Sequence, residues 1–205
     1  MDNNQSIKFT NPKRIAFTGP GSSGKSTIIK EFYEYNDSIH CNDWNHIGSH
    51  TRSMKQSENL THIKSKNDVD DILQLQILNT HLDNAISAYT FNRSITYDRC
   101  ILDGYIYTRW LYDFGKINGW ILEYGFQLLH TLKDQYDHVF YCMPDFEYVQ
   151  DKDRNIPKKD REYICDLYDK CILYFKPSKV TKLTGNVENR LNIINNVLTT
   201  KINDN

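Results

Sequence analysis

The 205-residue chain has almost no net charge, since 25 lysines and arginines face 26 acidic residues for a formal net charge of −1. That balance argues against a uniformly basic face of the kind that grips duplex nucleic acid, although a local basic loop is compatible with it. Cysteine is sparse and odd in number. Cys41, Cys100, Cys142, Cys165 and Cys171 form no C-x-x-C pair, so neither a disulfide framework nor a zinc ribbon is indicated, and buried free thiols in a reducing compartment are expected. No apolar run approaches a membrane span and the start, Met-Asp-Asn-Asn-Gln-Ser, has no apolar h-region, so a cytoplasmic protein without a membrane partner is expected. Internal repeats and low-complexity linkers are lacking too. The length suits one domain, 13–205, behind a flexible polar stretch, 1–12. The hydrophobic fraction is a modest 39%, but 14 Tyr, 9 Phe and 3 Trp supply burial that Leu and Val supply elsewhere.

What stands out is residues 13–27, Lys-Arg-Ile-Ala-Phe-Thr-Gly-Pro-Gly-Ser-Ser-Gly-Lys-Ser-Thr. Gly19, four residues, then Gly24-Lys25-Ser26 fits the G-x-x-x-x-G-K-[ST] spacing. A strand-type run, Ile15 to Phe17, precedes it, and Ile28, Ile29, Phe32 and Tyr33 follow at helical spacing. Gly19, Gly21 and Gly24 are expected to take φ > 0 and let successive N–H groups point at phosphate oxygens, with the helix dipole aimed at the same spot. Ser22, Ser23 and Thr27 belong to the same cradle. Lys25 then reaches the outer phosphates of ATP, and the Ser26 hydroxyl takes one position on Mg²⁺.

Further along, Ser38–Asn42 reads as a second strand, and 45–67 as a polar loop or irregular helix beside the site. Residues 69–91 read as a long amphipathic helix, 94–97 as a third strand, and 103–115 and 119–136 as two helices parted by Gly115 and Gly119. His138–Met143 is a buried-type strand stopped by Pro144. The charge-dense stretch 145–161 reads as a lid, followed by a helix through Tyr163 and Ile172, a strand at Lys179–Leu183 and a closing helix, Val187–Leu198. Strands alternating with helices predict an α/β fold with a parallel sheet covered on both faces and ligands at the carboxyl ends of its strands.

Three strand ends then converge on the phosphate loop. Asp98 is assigned to the metal with Ser26, and Arg99 to an anionic or polar acceptor, against the plainer reading of a surface ion pair. Asp43 is expected to position the acceptor or act as general base, or else to cap the next helix. Asp103, in Leu-Asp-Gly before a helical run, is likewise an acceptor contact or a cap. Arg52 in the polar stretch points to the acceptor too. In the lid, Arg154 and Arg161 are expected to close over ATP, whereas any single lysine there is better read as a solvated charge. The catalytic set is thus Lys25, Asp43, Asp98 and Arg154. His46 and His50 stand four apart but lack a third ligand at metal-site spacing. The aromatic run Tyr105 to Phe114 reads mainly as helix packing.

The phosphate loop Gly19–Thr27, Tyr97-Asp98-Arg99 followed by Leu102-Asp103-Gly104, Val139–Met143 with the loop Val149–Arg154, and Val187-Glu188-Asn189-Arg190-Leu191 together resemble P-loop nucleoside and nucleotide kinases. The similarity is nearest to the nicotinamide riboside kinase domain of the bifunctional NAD regulator and its phage-encoded relatives, and the Asp-Arg pair is similar to that of thymidylate kinases. The resemblance implies ATP and Mg²⁺, a five-stranded parallel sheet in a three-layer fold, a lid over ATP, and an acceptor pocket between Asp43 and the helix after Asp98. Two departures stand out: Asp151-Lys152-Asp153-Arg154 where that branch has Asp-Gly-x-Arg, and Asp43-Trp44 where relatives carry Glu. The expected activity is transfer of the γ-phosphoryl group of ATP to a nucleoside or (deoxy)nucleoside monophosphate by a monomer or homodimer. Nicotinamide riboside, a hydroxymethylated pyrimidine in DNA, or hydrolysis in an acceptor-free switch are the competing readings.

Overall fold

The computed structural model describes residues 13–38, 44–48, 66–148 and 156–200, with the side chains of 36–38, 66–70 and 200 set aside. Alternation along the strands builds two cores. In β1 (Arg14–Thr18), Ile15 and Phe17 point to one face of the sheet and Ala16 to the other. β4 (His138–Cys142) repeats the pattern, with Phe140 and Cys142 on the Phe17 side and Val139 and Tyr141 opposite. Both strands are buried on both faces, as a central parallel strand requires.

With β2 (Trp44–Ile47), β3 (Ser94–Asp98) and β5 (Val180–Leu183) they form a five-stranded sheet in the order β2-β3-β1-β4-β5, every pair parallel. On one face lie α1 (Lys25–Ser38) and α6 (Val187–Thr200), which contribute Ile28, Ile29 and Phe32, and Ile194 and Leu198. Phe17 stacks on Phe140 at 5.4 Å between ring centres and meets Phe32 at 6.1 Å. The other face carries α2 (Lys66–Ala88), α3 (Ile101–Asp113), α4 (Gly119–Leu132) and α5 (Lys158–Cys171) around Leu78, Ile106, Leu129 and Tyr168. This is the expected three-layer α/β arrangement. The connection after β1 runs past β3 to β2, whereas the connection after β3 runs back past β1 to β4, so the chain leaves the carboxyl ends of these two neighbours in opposite directions and a crevice opens between them.

Two local expectations are corrected. The second strand is not Ser38–Asn42: Ser38 ends α1, and pairing with β3 falls on Trp44–Ile47, with His46 opposite Thr96. Asp43 therefore precedes that strand in sequence instead of following it. The second concerns the lid, because Lys158, Lys159 and Arg161 belong to the first turn of α5 and not to a loop. The apolar stripe Ile164, Leu167, Tyr168 and Cys171 holds one side of that helix on the core, and the charge run is its solvated side and start. The expected flexible stretch 1–12 lies outside the described residues, as does most of the remaining lid, 149–155. Cys100, Cys142, Cys165 and Cys171 are free thiols. Among the described residues no helix is long and apolar enough to cross a membrane.

Candidate phosphate-binding site

The loop between β1 and α1 is forced by close backbone approach. Gly19 has φ +141°, and a Cβ there would sit 2.5 Å from the Cys142 carbonyl oxygen at the end of β4. Gly24 has φ +79°, and a Cβ there would meet the Phe146 ring at 2.9 Å. Gly21 departs from expectation: it has no positive φ and faces open space, and Ser22, at φ +58°, takes the left-handed position instead. Lys25, the first residue of α1, is only 6% exposed. Its ammonium donates to the carbonyls of Gly19 at 2.5 Å and Pro20 at 2.8 Å, and to Ser23 Oγ at 3.2 Å. Burial, then the Arg99 charge, pushes its pKa down to about 8, against the opposing pull of Asp103, Cys142 and Asp98. Ser26 and Thr27 are exposed at the start of α1.

The neighbouring strand end is organised by Asp103, 1% exposed. Its Oδ2 accepts from Thr18 Oγ1 at 2.7 Å and the Cys100 N–H at 2.9 Å, and its Oδ1 from Tyr168 OH at 2.7 Å and Arg99 Nη1 at 3.1 Å. A carboxylate has about four lone-pair sites, so these four donors saturate it. Asp103 is therefore corrected from an acceptor contact to a buried organiser. It caps α3 from the third position, through the Cys100 N–H, and not as the N-cap itself. Burial alone would raise its pKa, but Arg99, Lys25 and the donors outweigh it and hold the carboxyl below the usual range. Arg99 has φ +86°, an uncommon backbone state for a side-chain-bearing residue, and lies over the Tyr107 ring at 5.7 Å.

Asp98, the last residue of β3, lies opposite Phe17 in the register and is partly exposed. It is close enough to raise the proton affinity of Lys25. Two oxygen donors, Ser26 and Asp98, suit Mg²⁺, which takes few protein ligands and fills its shell with phosphate and water. Among the described residues there is no cluster of three or more ligating side chains that would hold a metal unaided. His46 lies in β2, so its pairing with His50 at helical spacing does not apply.

Two arginines reach the loop from distant elements. Arg161 donates from Nε to the Gly21 carbonyl at 3.3 Å and covers the Tyr148 ring at 5.0 Å, while its Nη2 is buried with no partner among the described residues. The sequence singled out Arg161. It gave Arg190 no role, yet that guanidinium, 1% exposed, donates to Ser23 O at 2.6 Å, Gly185 O at 3.0 Å and Met143 O at 3.0 Å and pairs with Asp145 at 3.2 Å. A signal existed, since Arg190 continues the stripe of Ile194 and Leu198 at four-residue spacing and is thus a charge on the buried side of α6. Thr18 and Tyr168 were missed as well. Asp43, Arg52 and Arg154 lie outside the described residues.

A glycine-bent loop at a helix start, at the centre of a parallel five-stranded sheet, defines a P-loop protein with a nucleoside-kinase-like fold. The chain belongs to the AAA domain family, whose pattern it matches over residues 14–190. Among proteins of curated function, none matches it in sequence. Its fold is similar to that of deoxyadenosine kinase from M. mycoides, in a structure with the products dCMP and a flexible dCDP, at TM-score 0.66 and 15% identity over 91% of this chain and 99% of that one. The same kinase with bound dATP gives TM-score 0.64 and 16% identity at the same coverage.

Proposed function

We propose that the chain is an ATP-dependent kinase that moves the γ-phosphoryl group of ATP to a nucleoside or (deoxy)nucleoside monophosphate. One observation carries the reading: Lys25 and Arg161 both converge on the carbonyls of the phosphate loop, and the buried Nη2 of Arg161 lacks an acceptor among the described residues. Buried guanidinium groups are hydrogen-bonded as a rule, and a phosphate oxygen is the acceptor suited to this place. The likeness in fold to a kinase described with dATP supports a nucleotide ligand.

In this reading the loop amides and Lys25 hold the phosphate tail, and Ser26 and Asp98 would hold Mg²⁺, which would neutralise charge on the phosphate oxygens. An acceptor oxygen, placed by Arg99, attacks the γ-phosphorus as the bond to the β–γ bridging oxygen breaks. ADP leaves, and the acceptor's proton passes to Asp98 or to water. Arg161, from the first turn of α5, meets the charge that develops on the transferring group; the roles expected of Arg154 in that step and of Arg52 toward the acceptor belong to residues outside the described ones. Asp43, expected to position the acceptor or act as general base, precedes β2 in sequence and lies outside the described residues.

The test is a screen with γ-labelled ATP across nucleosides, monophosphates, nicotinamide riboside and DNA. Label should move to a nucleoside or monophosphate and stay in ATP with Lys25→Ala. Release of label as phosphate that no small acceptor accelerates would replace the kinase by an ATP-hydrolysing switch. Transfer to DNA that falls steeply with salt would replace the small acceptor by a polymer.

A further inference from the structure

We infer that Arg190, far from the phosphate loop in sequence, is a positioning residue for phosphate binding: it holds the Ser23–Gly24 peptide so that the Gly24 amide turns toward the nucleotide. This rests on the phosphate-loop reading above. The guanidinium Nη1 takes the Ser23 carbonyl at 2.6 Å. Among the described residues no peptide bond is cis, and in a planar trans peptide the N–H points opposite to the C=O. Drawing the Ser23 oxygen toward buried Arg190 therefore aims the Gly24 N–H away from α6, as a cradle of donors requires.

The same guanidinium reaches Gly185 O from Nε and Met143 O from Nη2, both at 3.0 Å, so one planar group ties the loop to the ends of β4 and β5. Lysine cannot do this, since its ammonium is a point donor without a fixed fork. Asp145 completes the latch by accepting from Arg190 Nη2 at 3.2 Å and from the Gly185 N–H at 2.8 Å. Phe146 closes it, with its ring 4.7 Å from the guanidinium carbon and against the space a Gly24 side chain would need. Burying a cation beside a single, partly exposed carboxylate is costly for stability alone. Its neighbours are phosphate-loop and strand-end carbonyls, which places its effect at the nucleotide.

The experiment measures ADP binding by calorimetry, without acceptor, for the wild type, Arg190→Lys and Asp145→Asn, beside circular dichroism and thermal melts. Arg190→Lys should keep the fold and weaken ADP about tenfold or more, the scale of a lost charge-assisted contact. The KM for ATP should rise with it while the KM for the acceptor does not follow. Asp145→Asn leaves the guanidinium in place but removes its counter-charge, and should weaken ADP several-fold. A folded Arg190→Lys with wild-type ADP affinity would reduce Arg190 to a structural tie and overturn the inference. If Arg190→Lys does not fold, Asp145→Asn decides, and unchanged ADP affinity there overturns it equally. A wild type that binds no ADP refutes the phosphate-loop reading itself, and this inference falls with it.

Discussion

Lys25 is a charged group held where charge is costly. Its pKa of about 8 lies below the ordinary lysine value of 10.5, chiefly because burial disfavours the ammonium. The sign follows from proton counts: between about pH 8 and 10.5 the unfolded chain binds the proton that the folded chain has lost, so stability rises with pH across that window. At pH 7 the penalty is on the order of 3 kcal/mol. Lys25→Met should therefore abolish phosphoryl transfer, raise the denaturant midpoint at pH 7, and flatten its rise above pH 8. A midpoint lowered at pH 7 would contradict that account. For the wild type, ATP affinity should decline above pH 8 as the ammonium is lost. Asp103 makes the opposite case, a buried carboxylate whose four donors, Arg99 among them, are all satisfied. Asp103→Ala strands that set and should cost about 3 kcal/mol or more in urea unfolding. A loss below 1 kcal/mol would show that Asp103 does not organise the strand end.

At the scale of the element, the phosphate loop divides its glycines by need. Ala at position 19 would collide with a backbone carbonyl that cannot swing aside, whereas Ala at position 21 meets nothing within 4 Å. Gly19→Ala should destabilise by roughly 2 kcal/mol or more, and Gly21→Ala should unfold at the wild-type midpoint. Equal effects would mean that the loop adopts another conformation in solution. Helix α5 is informative through its start. Arg161 stands in the first turn, at the positive end of the helix dipole, where a cation is disfavoured by about 0.3–1 kcal/mol, and Asp160 beside it offsets part of that cost. Its reach to the Gly21 carbonyl puts it beside the proposed phosphate site. Arg161→Ala should leave the melting temperature unchanged or slightly raised while lowering kcat by about 10²-fold or more. Unchanged turnover would remove Arg161 from the site.

For the whole molecule, the two cores meet the site from opposite sides of the sheet. Lys25 comes from the α1–α6 face, and Arg161 with the Asp103 hub from the α2–α5 face. A ligand that joins the phosphate loop to the start of α5 therefore braces both layers. ATP at 100 times its dissociation constant should stabilise the fold by about 2.7 kcal/mol, which for this size is a rise of roughly 5–10 °C in Tm. Differential scanning fluorimetry reads this directly, and Lys25→Met should lose most of the shift. A wild-type melt indifferent to millimolar ATP would contradict the proposed ligand.

Local order alone carried the phosphate loop, the long amphipathic helix, the third and fourth strands and the Asp98-Arg99 strand end. Each depends on neighbours in the chain: glycine spacing, 3.6-residue periodicity, and β-branched or aromatic runs that stop at a turn. A weak local signal does not locate an element. Trp44-Asn45-His46-Ile47 is a half-covered edge strand with no apolar run, and only its pairing with β3 makes it a strand. The latch and the hub were beyond local reach altogether. Arg190 meets Ser23 across 167 positions, and Thr18 meets Asp103 across 85. Buried polar groups must find partners wherever packing brings them, and packing is settled by the sheet order and its two cores.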